Sequence, residues 1–434
     1  MRISLVLTLA TMALATTAQT LSWQGAVRQP VSVAPQTQAG LDVVAVADGV
    51  DGLTAVFECA SPTGVSVSTF GHEGAAYAEP LEEGVSRTAT AVNIANLRAD
   101  RGYMLSWSGG SYTFYLIDYS ATPLTLRSVT PAAEQDNCAL TALDVDGTGA
   151  EMAYYGITGR RFTVDREIEV AYTTQTYSES AQAWTDTSVS KRFDSLSPTL
   201  RVDAPLCATT FTVSGDRFLR AWGEETQVES APVTPRAVDA HVDAEQATRD
   251  ADNEVTGSTG QMGGSAPCDV AFSAAVTDGA LFTEWQFARN ADFEDITLRI
   301  TDLVFDYSFT EEGTTYVRFV CADDSGDCQW ESQPFEVSIG ASMLKCPNAF
   351  SPENQDGVND IWKVSYSSIV DFECSIFNRS GHCIVTFNDP ASGWDGRYGG
   401  KFVSPGVYFY VIKARGADGK KYNLSGDINI VGYK

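Results

Sequence analysis

Apolar and polar residues alternate along this chain in short runs, broken every few positions by Gly, Asp, Asn or Pro. No segment sustains a helical period over several turns. A period of two places one set of side chains on each side of a strand, so the expected fold class is all-β. The chain has 434 residues, more than one hydrophobic core serves, so several β-sandwich domains in tandem are expected. Its 44% apolar content excludes simple disorder, and its 36 glycines suit modules rich in turns.

Residues 1–18 open with Arg2, continue through an apolar run and end in small residues, the pattern of a secretory signal peptide. Cleavage is placed after Ala18, with Ala15 as the alternative. No other stretch approaches the roughly 20 apolar residues of a membrane helix. A short amino-terminal segment, 19–39, precedes a first Ig-like domain at 40–127, with strands expected at 41–57, 91–96 and 111–119. A second Ig-like domain is expected at 128–247, with strands at 167–174, 209–213 and 236–242. Residues 248–265, rich in Asp, Asn, Gly and Ser, read as a linker. A third domain, 266–340, carries Trp285 and Tyr316 as expected core residues, and a fourth spans 341–434.

Charge separates that last domain from the rest. Residues 341–434 hold ten Lys and Arg against nine Asp and Glu, whereas the whole chain carries −27. The remaining −28 argues against nucleic acid as a partner, since phosphate binding requires clustered cations. In 408–414, Tyr408, Tyr410 and Ile412 share one face, and Val407, Phe409 and Val411 the other. Both sets are apolar, so a central strand covered on both faces is expected. Phe372, Cys374 and Ile376 line a neighbouring strand, and Ala417-Asp418-Gly419 forms the turn that joins the last two.

Two resemblances follow from particular residues. Phe309-Thr-Glu-Glu-Gly-Thr-Thr-Tyr-Val317 resembles a stretch of PKD-like immunoglobulin-type domains. Pro347-Asn348-Ala349-Phe350-Ser351-Pro352, then Asp356-Gly357 and Asn359-Asp360, closely resembles the opening motif of the gliding-motility-associated carboxy-terminal domain. That domain is the type B sorting domain of the type IX secretion system of Bacteroidota. Its further motifs follow in order: Phe377-Asn378-Arg379 with Gly381, then Trp394-Asp395-Gly396, then Gly406 with Tyr408 and Tyr410, and a closing Gly426-Asp-Ile-Asn-Ile430. Glu353-Asn-Gln355 stands where the family has two residues, and Ser380 replaces a family tryptophan. The resemblance implies a seven-stranded Ig-like sorting domain and passage across the outer membrane through the type IX translocon. A PorP/SprF-like outer-membrane barrel is the implied docking partner, and the implied location is the cell surface or the medium. The upstream modules would then serve adhesion, binding of a glycan or protein, or spacing. The alternative is a component that stays on the secretion or gliding machinery.

Catalysis is not expected. Nucleophilic chemistry needs an activating base, and His72, His241 and His382 lie in no recognisable motif. No cofactor is expected except structural calcium, for which Asp144 and Asp146, and separately Asp356, Asn359 and Asp360, place oxygen donors around glycine turns. An exported chain with nine cysteines is expected to hold disulfides. Cys321 and Cys328 flank a turn-like hexapeptide and form the first candidate pair, followed by Cys138 with Cys207 and Cys346 with Cys374.

Overall fold

The computed structural model describes residues 19–132, 137–256 and 262–432; the expected leader lies outside them. The chain forms two compact units. One comprises the residues up to 174 with 187–203 and 208–233, and the other comprises 175–186, 204–207 and the residues from 234 onward.

The first unit contains two β modules. In the first module, a four-stranded sheet orders Thr20–Gln24, Thr54–Glu58, Ala91–Ile94 and Val85–Arg87. A six-stranded sheet runs Val31–Val33, Val43–Ala47, Gly110–Asp118, Arg101–Trp107, Ser66–Phe70 and Glu79–Pro80. Phe57, Tyr103, Leu105, Phe114 and Leu116 fill the space between them. The segment 19–39 is not a separate piece, because Thr20–Gln24 pairs antiparallel with Thr54–Glu58 and Val31–Val33 with Val43–Ala47. Edge strands that short give weak sequence signals, since little of their surface is buried.

The second module begins with Thr125–Pro131 paired to Leu140–Thr148 and ends with Thr226–Glu229. Its core is continuous with the first module's: Val44, Val46, Tyr115 and Tyr119 pack in one cluster with Leu143, Tyr154, Val170 and Phe218. The strand expected at 236–242 belongs elsewhere. Ala240–Gln246 pairs along its whole length with Cys268–Val276, inside the second unit.

The second unit holds the third and fourth modules. In the third, Ala240–Gln246, Cys268–Val276 and Val304–Phe309 face a sheet built on Phe282–Ala288, Gly313–Ala322 and Phe335–Ile339. Trp285 is fully buried, with Phe272 and Phe319 within 5.3 Å. Tyr316 departs from expectation: strand alternation gives the core to Val317 and Phe319 and leaves Tyr316 half-exposed on the opposite face.

The fourth module has nine short strands among the described residues, two more than expected. Five form its main sheet, in the order Ala349–Phe350, Lys421–Ile430, Gly406–Gly416, Ile369–Phe377 and Cys383–Phe387. Gly406–Gly416 is a central strand, as expected, but only Tyr408, Tyr410, Ile412 and Ala414 turn toward the core. Val407, Phe409 and Val411 are 42–44% exposed. The fourth module is thus a sheet with one covered face, and the outer apolar stripe lies open.

Candidate functional site: the convergence of the carboxy-terminal motifs

The motifs that lie far apart in 347–430 meet around two tryptophans. Trp362 is fully buried, and its indole N–H donates to the carbonyl of Pro347 at 2.8 Å. Its backbone exchanges two hydrogen bonds with Trp394, at 2.9 and 3.0 Å. Trp394, 2% exposed, donates its indole N–H to the carbonyl of Arg397 at 3.0 Å. Tyr410 packs against Trp362 at 5.3 Å and Tyr408 against Trp394 at 5.2 Å, while Phe350 closes the cluster 5.4 Å from Trp394. Large rings with satisfied polar ends suit such a core, because each buries much apolar surface without leaving an N–H unpaired.

Glycines let the pieces approach. Gly396 has φ +73°, and a Cβ there would lie 2.6 Å from the Pro352 ring. A Cβ on Gly426 would fall 2.7 Å from the Tyr410 hydroxyl, which accounts for the small residue in the closing motif.

The signature loop closes on itself. Ser351 N–H donates to Asn359 O at 2.9 Å, Gly357 N–H to Asp360 Oδ2 at 2.8 Å, and Val358 N–H to Asp356 Oδ1 at 2.8 Å. The Asn354 amide donates to Asp356 Oδ2 at 2.8 Å. Gln355, Gly357 and Asn359 all adopt positive φ. Two oxygens in this loop, Asn354 Oδ1 and Asp360 Oδ1, are buried without a partner. The carbonyl of Asn348 accepts from both the backbone and the side chain of Asn429, tying the motif's first residues to the last strand.

Asn378, Arg379 and Gly381 form an exposed turn in which Asn378 Oδ1 accepts from the amides of Ser380 and His382. Asp395 accepts from Arg397 N–H. These residues shape turns, whereas the rings and glycines make the core. Trp362, two residues beyond the quoted Asn359-Asp360 and not singled out from sequence, is the residue on which the others converge. Its position two residues after Asp360 is the available signal.

Other sequence candidates are dispersed. Asp144 and Asp146 do not form a loop: they sit two apart on the strand Leu140–Thr148, where Thr199 donates to Asp144 at 2.7 Å and Arg127 grips Asp146 through two bonds. Alternation puts both on one exposed face, already satisfied. Among the described residues, no three His, Cys, Asp or Glu side chains gather as a metal cluster. His72 lies 3.5 Å from Glu73, His241 stacks on Tyr177 at 3.7 Å, and His382 hydrogen bonds the Tyr398 hydroxyl at 2.9 Å.

The cysteine pairings differ from expectation. Cys328 is disulfide-bonded, but Cys321 keeps a free thiol. The hairpin register explains this: Cys321 opposes Trp330, whereas Cys328 bonds back to Asp323, so the two sulfurs are out of step. Cys138 is also disulfide-bonded, while Cys207 carries a thiol that burial pushes up, so those two are not joined. Cys346 and Cys374 keep free thiols as well. Burial raises the Cys346 thiol, and neighbouring Tyr410 offsets part of the rise.

With this geometry in place, residues 344–430 match the CHU_C type IX secretion signal domain. Those residues are a type IX secretion signal domain. Residues 130–230 of the second module match a fibronectin type III domain, Fn3_FA. The signal domain makes this an exported protein of the cell surface or the medium, and its Ig-like and fibronectin-like modules are of kinds typically non-enzymatic. Among the described residues, no helix is long and apolar enough to cross a membrane.

No curated protein matches the chain. Solved structures similar to it include a tetra-tandem repeat from the extending region of a large adhesion protein. That match is 14% identical, covers 89% of this chain and 99% of the other, and has a TM-score of 0.20. The fibronectin(III)-like modules of Clostridium thermocellum CbhA are 14% identical over 44% of this chain and 94% of theirs, at a TM-score of 0.17. Three domains of the bacteriophage RB49 outer capsid protein Hoc are 10% identical over 72% of this chain and all of theirs, at 0.22.

Proposed function

We propose that the chain is a non-enzymatic surface protein whose three upstream modules act as an acidic arm for adhesion, for binding a glycan or protein, or for spacing. The signal domain delivers it through the type IX translocon by docking on a PorP/SprF-like outer-membrane barrel. The observation that carries the reading is the convergence of the ordered motifs on Trp362 and Trp394, which makes the signal domain one cooperative body presenting a fixed surface. The contacts of the three histidines are with Tyr177, Tyr398 and Glu73 rather than with a serine, threonine or cysteine side chain, which supports a non-catalytic role. Removing residues 344–430 in the native host tests the delivery reading: the truncated chain is expected to stay inside the outer membrane, and normal delivery would sink it.

One observation favours a second reading, a component that remains on the machinery. The signal domain is bound to the third module by backbone and serine hydrogen bonds. Ser368 N–H donates to Ser265 at 2.7 Å, Ala266 N–H donates to Ser368 at 3.2 Å, and Glu312 N–H donates to Ala417 at 3.1 Å. Such a domain suits permanent retention. Mass spectrometry of native material separates the readings: loss of the signal domain favours released cargo, and an intact domain co-purifying with the barrel favours the component.

A hard cation at the signature loop would be held by Asn354 Oδ1 and Asp360 Oδ1, the two oxygens left without partners, with water completing the six to eight ligands that calcium takes. A rise in melting temperature on adding calcium, lost in Asp360→Asn, tests this.

A further inference from the structure

The segment whose composition reads as a linker is paired to the fourth module through a β-bridge. Residues 252–255 lie along 364–366: Tyr366 N–H donates to Asn253 O at 3.2 Å, and Val255 N–H donates to Tyr366 O at 2.7 Å. Glu254 forms a parallel bridge with Tyr366. At the start of this strap, Asp252 meets the Lys363 ammonium at 2.7 Å. Arg249 fixes its base, donating to Glu254 at 2.6 Å and to the carbonyl of Ser265 at 2.8 Å. The Glu254 carboxylate is 2% exposed, so this ion pair is held out of water on the acid side.

Asn253 links the strap to the tryptophan core. Its side-chain amide donates one hydrogen to Val364 O at 2.7 Å and the other to Pro390 O at 2.8 Å. Val364 lies two residues after Trp362, and Pro390 lies four before Trp394. One side chain therefore clamps the two segments that carry the paired tryptophans. Among the described residues, the strand Ser365–Ser367 is paired on its other side only by Met343–Lys345. Without the strap, Tyr366 would present an unpaired N–H and carbonyl on an open edge, and Val364 and Pro390 would lose their donors. Asp252 also borders a cleft of about 650 Å³ lined by Lys345, Gly357, Asp360 and Lys363, so the strap reaches the signature loop itself.

We infer that the sorting signal of this chain is composite: residues 249–256 supply a bridging strap in cis to the edge at 363–366 and hold the signature segment in the shape that the secretion machinery reads. The inference rests on the delivery reading above and extends its signal upstream of residue 344. Asn253 and the Val255 N–H are positioning groups, acting through Trp362 and Trp394.

The test uses the full chain with Asn253→Leu, which removes both amide donors, and separately Val255→Pro, which removes the donated N–H. Amide hydrogen exchange is read at Tyr366 and Trp394, and delivery to the surface is measured in the native host. Exchange at Phe114 and Leu116 reports whether the first module is folded, and Tyr77→Ser, on an exposed first-module side chain, is the control. The expected result is exchange at least tenfold faster at Tyr366 and Trp394, unaltered exchange in the first module, and at least a fivefold fall in delivered protein. Unaltered exchange at Tyr366 and Trp394 would overturn the inference, and so would faster exchange with normal delivery. Delivery lost on removing 344–430 but kept in both variants would overturn the composite signal alone, whereas delivery kept after that removal would overturn the delivery reading beneath it.

Discussion

Trp362 and Trp394 exchange backbone hydrogen bonds across an isolated β-bridge, while the indole N–H of Trp362 is taken by the Pro347 carbonyl and that of Trp394 by the Arg397 carbonyl. The pair joins the signature segment to the second tryptophan motif more directly than any sheet does. Trp362→Ala is expected to cost about 3–5 kcal/mol, because it removes a fully buried ring and leaves the Pro347 carbonyl without its donor. Denaturant unfolding followed by fluorescence checks this, and a cost below about 1 kcal/mol would refute the central role given to the residue.

In the first unit, Arg166 and Asp216 form an ion pair with both side chains fully buried, Nη2 to Oδ2 at 2.8 Å. Arg166 also donates to the carbonyls of Thr122 and Ala150, and Asp216 caps the short helix Arg217–Ala221 through the amides of Phe218 and Leu219. Every polar atom has a partner, which makes removal of one member costly. Arg166→Met and Asp216→Asn are each expected to destabilise the unit by about 3–5 kcal/mol, since each leaves a buried group uncompensated. The double variant should cost less than the sum of the two, as read by a double-mutant cycle of melting experiments.

The Asp323 carboxyl gives the third module a dependence on acid. Burial alone would raise it, but the Cys328 and Gly326 amides, the Ser325 hydroxyl and the Arg236 guanidinium together hold it below the usual carboxylate range. A carboxyl depressed in the folded state contributes stability that is present above its unfolded value, roughly 3.9, and lost as pH falls through the folded value. Melting temperature should therefore drop as pH falls below about 4, and Asp323→Asn should flatten that drop while lowering stability at pH 7. An unchanged acid profile in the variant would contradict this assignment.

Thiol reactivity should follow exposure. Burial pushes Cys321 and Cys374 up to about 12, so neither supplies thiolate near neutrality. Cys383 is exposed on the strand Cys383–Phe387 at the edge of the sheet. Treating the native protein with a disulfide reagent at pH 8 is expected to label Cys383 first and to leave Cys321 and Cys374 unlabelled until denaturant is added. Early labelling of Cys374 would show that the fourth module opens readily.

Much of the fourth module is legible in its sequence. The alternation in 408–414 places Tyr408, Tyr410 and Ile412 on one face, and they are on the core side. A strand's period of two is a local property, carried by neighbouring residues alone. Its outer face was not readable in the same way. Val407, Phe409 and Val411 are as apolar as a covered face requires, yet nothing local reports whether a second layer lies over them.

Pairing and partnership were settled by residues distant in the chain. Ala240–Gln246 has the alternation of a strand, but its sequence does not say whether its hydrogen bonds go backward to the second module or forward to Cys268–Val276. The polar composition of 248–265 reads as a linker because it offers little apolar surface to bury, yet the stretch 249–256 is held in place. What holds it is a set of backbone groups, the Asn253 amide and the Asp252 carboxylate, whose partners lie more than a hundred residues away. The cysteines make the same point: spacing set Cys321 against Cys328, and a strand register offset prevented the pair. Periodicity and motif order are written in short stretches of amino acids, so they determine which strands and turns exist. Register, edge coverage and the meeting of Trp362 with Trp394 depend on contacts that form only when the chain has folded.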